Sequence, residues 1–257
     1  MMKIATFNTN SVRARLPIIK EWLNREQPDI LAFQEIKVQD RDFPVNEFEE
    51  AGYNTVIKGQ KSYNGVAIIS RSEPENIIRN LYRDEGEQAR FLSASVSGIT
   101  IINVYVPQGF SPDSDKFAYK LEWLEDLYKY IKKEYTPDSP VILLGDFNVA
   151  MDERDLHDPD GLWGSAGYHP EEQKILNKIF EWGFVDIFRK YHSEGRHYTF
   201  WDYRIPNAVK RKMGWRIDYI TATPPLAEKS IGIRVDLDAR SLKRPSDHTF
   251  LIAEFDL

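Results

Sequence analysis

The sequence predicts an α+β fold in which two β-sheets pack face to face with helices on the outside. Three observations carry this expectation. Apolar runs such as Ile30-Leu31-Ala32-Phe33 and Val141-Ile142-Leu143-Leu144 read as strands covered on both faces. Phe91 to Val96 and Ile99 to Val106 alternate instead and are separated by Ser97-Gly98, which marks an antiparallel hairpin. An internal echo suggests two similar halves: a helix followed by Gln27-Pro28-Asp29-Ile30-Leu31-Ala32-Phe33-Gln34-Glu35 resembles a helix followed by Ser139-Pro140-Val141-Ile142-Leu143-Leu144-Gly145-Asp146.

Lys3 to Asn8 is the first strand, and the polar segment after it places Asn8 and Asn10 on one side. Pro17 fits the first turn of a helix whose Ile18, Ile19, Trp22 and Leu23 repeat at helical spacing until Gln27-Pro28 ends it. A strand from Asp29 to Glu35 follows, then a short helical piece from Glu47 to Ala51. Tyr53 to Lys58 and Val66 to Ser70 form a hairpin with Asn64-Gly65 in its loop. Pro107 stops the ladder of the next hairpin. Phe117, Leu121, Leu124, Tyr128 and Ile131 mark one face of a long helix from about Asp115 to Glu134. Pro140 opens the Val141 strand, and Pro170 opens a helix with Ile175, Leu176, Ile179 and Phe180 inward, closed by Gly183. Tyr198 to Trp201, Trp215 to Ile220, Ile231 to Val235 and Thr249 to Phe255 are the remaining strand-like segments.

Composition narrows the chemistry. At 257 residues, without a composition break, the chain reads as a single domain over 1–257 with a substantial core. The absence of cysteine removes disulfides, thiolate metal sites and cysteine nucleophiles, so any metal must be held by carboxylates, amides or imidazoles. A net charge of −6 argues against a protein that grips polyanions with its whole surface, and leaves local patches open. No apolar run is long enough to cross a bilayer, and Met1 to Asn8 enters a strand pattern directly, so a cytoplasmic protein with no membrane contact is expected.

Polar residues gather where strands end: Asn8 and Asn10, Glu35, Tyr105, Asp146 and Asn148, Asp218, and Ser246-Asp247-His248. In Gly145-Asp146-Phe147-Asn148 the two-residue period of a strand puts Asp146 and Asn148 on one side, either to cap a turn or to converge on one small object. Stability alone does not require so many polar strand ends.

Together these residues resemble the exonuclease III family of abasic-site endonucleases, within the endonuclease/exonuclease/phosphatase superfamily. The resemblance rests on Phe7 to Arg15, Gln34-Glu35-Ile36-Lys37, Asn64-Gly65-Val66-Ala67, Tyr105-Val106-Pro107, Gly145-Asp146-Phe147-Asn148, Tyr198-Thr199-Phe200-Trp201, Gly214 to Tyr219 and Ser246-Asp247-His248, which occur in the family's order. It departs at Gln108, where many relatives carry Asn, and at Phe250, where they usually carry Pro. The resemblance implies a four-layer αββα sandwich, two mixed or antiparallel sheets flanked by helices in two pseudo-symmetric halves, with the site at one end.

Cleaving a phosphodiester needs a cation on the phosphate, an activated water and stabilisation of the leaving oxygen. With the resemblance as guide, Glu35, Asp247, Asn10 and Asn8 are the metal set, a sparse oxygen shell that suits Mg²⁺, with Mn²⁺ as substitute. An Asp218–His248 pair would place positive charge on the phosphate. Asp146 would orient or deprotonate the attacking water, and Asn148 would donate to a phosphate oxygen or fix Asp146. Tyr105 would donate its hydroxyl hydrogen. Phe200, Trp215 and Ile217 would wall a small pocket for a flipped, baseless sugar, and Arg13, Lys58, Lys61, Lys210, Arg211 and Lys212 would grip the DNA backbone.

The implied activity is a Mg²⁺-dependent DNA repair nuclease cutting 5′ to abasic sites, with 3′-to-5′ exonuclease and 3′-end repair activity. Its partner would be double-stranded DNA with abasic sites or damaged 3′ ends, bound by a monomer that associates with the nucleoid when acting. Two other readings compete. Trp215 and the Phe200-Trp201 pair speak against a superfamily phosphoesterase acting on inositol phosphates, sphingomyelin or RNA. The presence of Glu35, Asp146, Asp218, Asp247 and His248 together speaks against a non-catalytic nucleic-acid-binding relative.

Overall fold

The structure, a computed structural model, describes residues 1–81 and 88–257. Its elements run β1 (Met2–Asn8), α1 (Val12–Glu26), β2 (Ile30–Gln34), α2 (Val45–Glu49), β3 (Asn54–Lys58), β4 (Val66–Ser70), β5 (Glu75–Ile78), β6 (Phe91–Val96), β7 (Ile99–Tyr105), α3 (Asp115–Glu134) and β8 (Val141–Asp146). The second part of the chain adds α4 (Pro159–Leu162), α5 (Pro170–Trp182), β9 (Val185–Asp186), α6 (Ile187–Tyr191), β10 (Asp218–Ala222), α7 (Pro224–Ala227), β11 (Ser230–Asp236) and β12 (Phe250–Phe255).

Two six-stranded sheets result, in the orders β11-β12-β1-β2-β4-β3 and β5-β6-β7-β8-β10-β9. Each contains one parallel pair, β1 with β2 and β7 with β8, and the other pairings are antiparallel. The echo between the two halves is therefore a repeated β–helix–β crossover, β1-α1-β2 in one sheet and β7-α3-β8 in the other.

The apolar runs divide their side chains by parity. Ile30 and Ala32 join Ile142 and Leu144 in the core between the sheets, whereas Leu31 and Phe33 face α1 and α2, and Val141 and Leu143 face α3 and α5. Three cores between four layers explain why these strands lack polar alternation. The sheets are also joined by polar groups: Gln34 Nε2 donates to Asn103 Oδ1 at 2.7 Å, and Asn103 Nδ2 donates to the carbonyls of Phe33 and Ala67 at 3.0 and 2.9 Å. Satisfied buried amides of this kind fix how one sheet sits on the other.

Some expectations move. α1 begins at Val12, which puts Pro17 inside the helix instead of in its first turn. The early start is possible because Ser11 N and Val12 N donate to the carbonyls of Glu35 and Ile36, so the loop after β2 serves as the cap. The buried face of α3 includes Phe117, Lys120, Leu124, Leu127 and Ile131, with Leu121 and Tyr128 at its margin. The segment Tyr198 to Trp201 is not a strand; Phe200 makes isolated bridges to Trp215 and His248. The short elements β5, β9, α4, α6 and α7 went unpredicted because two to five residues carry no readable period. Among the described residues no helix is long and apolar enough to cross a membrane.

Candidate active site

Register brings the polar strand ends together. In the second sheet Tyr105 lies opposite Asp146 and Asp146 opposite Asp218, so the ends of β7 and β8 and the start of β10 present a hydroxyl and two carboxylates in one row. Facing them across the sandwich, Asn8 at the end of β1 lies beside Gln34, and Glu35 follows one residue later. Glu35 takes a left-handed backbone, φ 48°, at the point where the chain leaves the sheet. Left-handed geometry in a non-glycine residue is uncommon and concentrates at functional sites.

Asn8 joins the two sheets' contributions. Its buried Nδ2 donates to Glu35 Oε1 and to Asp146 Oδ2, both at 2.8 Å, while Oδ1 accepts from Asn10 N at 3.0 Å. With both ends of its amide engaged, Asn8 bridges the carboxylates of Glu35 and Asp146. Asp146 is held further by Asn148, whose backbone N donates to Oδ1 at 2.9 Å. The Asn148 side-chain amide donates to Val106 O at 3.0 Å and Asp146 Oδ2 at 3.3 Å. Of its two expected roles, the structure gives Asn148 that of fixing Asp146.

His248 is buried with Nδ1 2.8 Å from Asp218 Oδ2 and Nε2 3.7 Å from Asp146 Oδ2. Burial opposes its charge, but Asp218 and Asp146 outweigh burial and raise the imidazole to about 10. It is therefore an imidazolium at neutral pH. Burial pushes the Asp146 carboxyl up to about 7, against the pull of His248. Burial also raises the Tyr105 hydroxyl well above its usual range, assisted by the charges of Glu35 and Asp146, so it remains a donor.

Ligand atoms of Glu35, Asp146 and His248 come within 4.8 Å of one another. A protonated imidazole cannot ligate, so that trio is a poor cation site at neutral pH. The better donor set is Glu35, Asn10 and Asp247. Asn10 Nδ2 donates to Asp247 Oδ1 at 3.0 Å, while the Lys37 ammonium lies 2.9 Å from Glu35 Oε2 and also bonds Asn10 Oδ1. An ammonium group thus occupies the space between two of the four expected ligands, a stand-in for a cation among oxygen donors. Burial raises the Glu35 carboxyl, but Lys37, the Asn8 amide and His248 together bring it below the usual carboxylate range. These residues fit a hard divalent cation.

Beside the row lies a cavity of about 380 Å³ whose wall includes Asn148, Gly167, Phe200, Trp215 and Ile217. Trp215 and Phe200 exchange backbone hydrogen bonds of 2.9 Å, and the Phe200 ring centroid lies 4.9 Å from that of His248. The pocket is therefore tied directly to the reactive centre.

The basic residues are not brought together in the same way. Lys58 is buried, with Nζ donating to Gln88 O at 3.0 Å, so it does not offer the exposed backbone contact expected of it. Arg13 is exposed and its guanidinium is held by Asp42, at 3.1 and 3.0 Å to the carbonyl. Lys61, Lys210, Arg211 and Lys212 stand exposed in loops.

Sequence reasoning also missed residues. Lys37 was read only as part of a motif. Lys120 and Glu172 form an ion pair with no solvent access, Lys120 Nζ donates to Asn148 O at 2.8 Å, and Glu172 Oε2 accepts from Gly167 N at 2.9 Å. The available signal was a lysine at helical spacing between Phe117 and Leu124 on an apolar face.

A buried histidine between carboxylates, beside oxygen donors that could bind a metal, is the arrangement of a metal-assisted phosphoesterase. The comparisons agree: the pattern of the Endonuclease/Exonuclease/phosphatase family matches residues 5–248. Exodeoxyribonuclease III of Haemophilus influenzae is 34% identical, over 99% of this chain and 100% of its own length. An AP endonuclease from Archaeoglobus fulgidus superposes with a TM-score of 0.97 at 46% identity, over 100% of both chains. A 3′ phosphatase from Neisseria, solved with a product DNA hairpin, gives 0.97 at 40% identity, also over 100% of both. The chain belongs to the endonuclease/exonuclease/phosphatase family, in its exonuclease III group of DNA repair nucleases.

Proposed function

We propose that the protein is a Mg²⁺-dependent nuclease that hydrolyses the phosphodiester 5′ to abasic sites in double-stranded DNA and also trims damaged 3′ ends. The observation that carries this reading is the imidazolium–carboxylate row His248, Asp218 and Asp146 opening beside the apolar pocket of Phe200, Trp215 and Ile217. Glu35, Asp247 and Asn10 would hold the cation, which when bound neutralises phosphate charge and steadies the leaving oxygen.

The remaining work falls to the chain itself. The His248 imidazolium faces a phosphate oxygen, and Asp218 keeps it charged and oriented. Asp146, with its carboxyl near 7, takes the proton of the attacking water, since a base poised near the operating pH is the most effective. Asn8 and Asn148 hold Asp146 in place, and Tyr105 donates to the phosphate. The phosphorus–O3′ bond breaks, leaving a 3′-hydroxyl and a 5′-deoxyribose-phosphate. A flipped sugar without a base fits the pocket, and a full nucleotide is excluded by size. The likeness to the Neisseria 3′ phosphatase supports the 3′-end activity.

We further propose that the protein acts as a monomer in the cytoplasm, associated with the nucleoid when on DNA. The absence of cysteine is compatible with a reducing compartment. Sedimentation of the free protein tests the monomer, and imaging of a tagged chain tests the location. The decisive experiment incubates an abasic-site duplex and a 3′-phosphate duplex with Mg²⁺ or with EDTA, alongside Asp146→Asn and His248→Asn. Metal-dependent cutting that either substitution abolishes is expected. Cutting in EDTA, or full activity in either variant, overturns the mechanism.

A further inference from the structure

A second cavity, of about 280 Å³, lies on the other side of Gln108 from the sugar pocket, and Gln108 lines both. Its wall includes Gln88, Arg90, Pro107, Phe110 and Lys116. The size is near the lower end of small-molecule sites, roughly 300 Å³. Arg90 ties the cavity to the reactive centre. Its guanidinium stacks over the Tyr105 ring at 4.7 Å, Nη1 donates to Tyr105 O at 3.3 Å, and Nε donates to Gln88 Oε1 at 2.6 Å.

Phe110 is the unusual member. The residue is 72% exposed, and its backbone is left-handed at φ 61°, a conformation that aromatic residues seldom adopt. The loop is nevertheless held: Phe110 N donates to Gln108 Oε1 at 2.8 Å, and the Lys116 ammonium lies 5.3 Å from the ring centroid. A phenyl face presented to solvent by a fixed loop contributes nothing to the core. Next to it stand two cations and two side-chain amides, which is the combination that holds a nucleotide: a face for stacking, charge for the phosphate, and donors and acceptors for the base edge.

We propose that this cavity is a second nucleotide subsite, which takes an unpaired nucleotide next to the scissile phosphate. The base lies against Phe110, Gln88 and Gln108 reach its edge, and Arg90 and Lys116 hold its phosphate. Inside a duplex both faces of a base are covered, and at a paired end the Watson–Crick edge is still taken by the opposite strand, so the ring and the two amides together engage only an unpaired base. The subsite therefore favours frayed or mismatched 3′ ends and single-stranded DNA over fully paired ends. This inference rests on the reading of the neighbouring centre as a DNA phosphodiesterase.

The test has two readouts. In EDTA, the affinity for a short fluorescein-labelled single-stranded oligonucleotide is measured by anisotropy for the wild type, Phe110→Ala and Phe110→Trp. Loss of one stacked base weakens binding by about tenfold in Phe110→Ala, and Phe110→Trp restores it. With Mg²⁺, Phe110→Ala raises KM for a 3′ end with a terminal mismatch by a similar factor, with kcat and the paired-end KM unchanged. Equal effects on paired and mismatched ends, no change in oligonucleotide affinity, or no recovery with tryptophan overturns the subsite while leaving the nuclease intact. A wild type that cuts neither end overturns the nuclease reading, and the subsite with it.

Discussion

Lys120 and Glu172 form an ion pair in which neither side chain is accessible to solvent. Their partners are the backbone of the catalytic loops. Lys120 Nζ donates to the carbonyls of Asn148 and Gln108, at 2.8 and 3.3 Å, and Glu172 accepts from Gly167 N and His169 N, at 2.9 and 3.2 Å. The loop after β7, the loop after β8 and the wall of the sugar pocket thus meet on one buried pair. Removing one partner leaves the other charge uncompensated, which costs about 3–5 kcal/mol. Glu172→Gln should lower stability by that amount in urea unfolding, and adding Lys120→Met should recover at least half. A single substitution that leaves the midpoint unchanged would show that the pair carries no such weight.

The buried row predicts the pH dependence of the metal-free protein. The folded His248 pKa, about 10, lies above its unfolded value of roughly 6.5. Its stabilisation is therefore fully present below the unfolded value and is lost as pH rises through 10. Asp146 is an acid raised by burial to about 7, so the folded state favours its protonated form, and stability falls as pH climbs from roughly 4 to 7. Both groups tilt the curve the same way. In EDTA the thermal midpoint should decline from pH 4 to 10; Asp146→Asn should flatten the lower limb and His248→Asn the upper one. A midpoint that climbs across this range contradicts the assignment.

On the proposed reading Trp215, which lines the cavity beside His248, closes the sugar pocket by bulk, so truncating it should cost selectivity more than fold. With the Phe200 and Ile217 walls retained, Trp215→Ala opens the cavity to a full nucleotide. The ratio of kcat/KM for an abasic duplex over an intact one should drop by about tenfold, or roughly 1.4 kcal/mol. An unchanged ratio would mean that selection occurs elsewhere, before the sugar enters.

How much of this was readable without coordinates depends on what each residue must do. Glu35, Asp146 and Asp218 were legible because a charge at the end of an apolar strand is a local conflict that a fold alone does not explain, and His248 became legible through the family resemblance of Ser246-Asp247-His248. The αββα layering followed from runs such as Ile30 to Phe33, which have no polar face to give to solvent. The role of Asn8 was not legible, since its amide reaches Asp146 in the other sheet, 138 residues away in sequence. Lys58 misled for the opposite reason: a lysine at a strand end reads as exposed, yet its ammonium is buried against the carbonyl of Gln88. Lys120 was visible only as an irregularity in an apolar stripe, and its partner Glu172 lies on another helix, α5.

Lys37 gives the last prediction. Its ammonium bridges Glu35 and Asn10, two of the three proposed cation ligands, so the cation and Lys37 compete for the same oxygens. The side chains are partly accessible, 28% for Lys37 and 18% for Glu35, which places the pair near the weak, solvent-screened class at about 1 kcal/mol. Replacing Lys37 with Met removes the competitor while keeping the length of the side chain. Calorimetric titration should then show Mg²⁺ bound up to roughly fivefold more tightly than in the wild type. Glu35→Gln should act in the opposite direction, because the loss of an anionic ligand outweighs the loosening of Lys37. If Lys37→Met weakens Mg²⁺ binding instead, the ammonium supports the ligand geometry and does not occupy the cation's place. Comparing the two variants at low and high salt separates these cases: screening should erase the competitive effect of Lys37 and leave a geometric one intact.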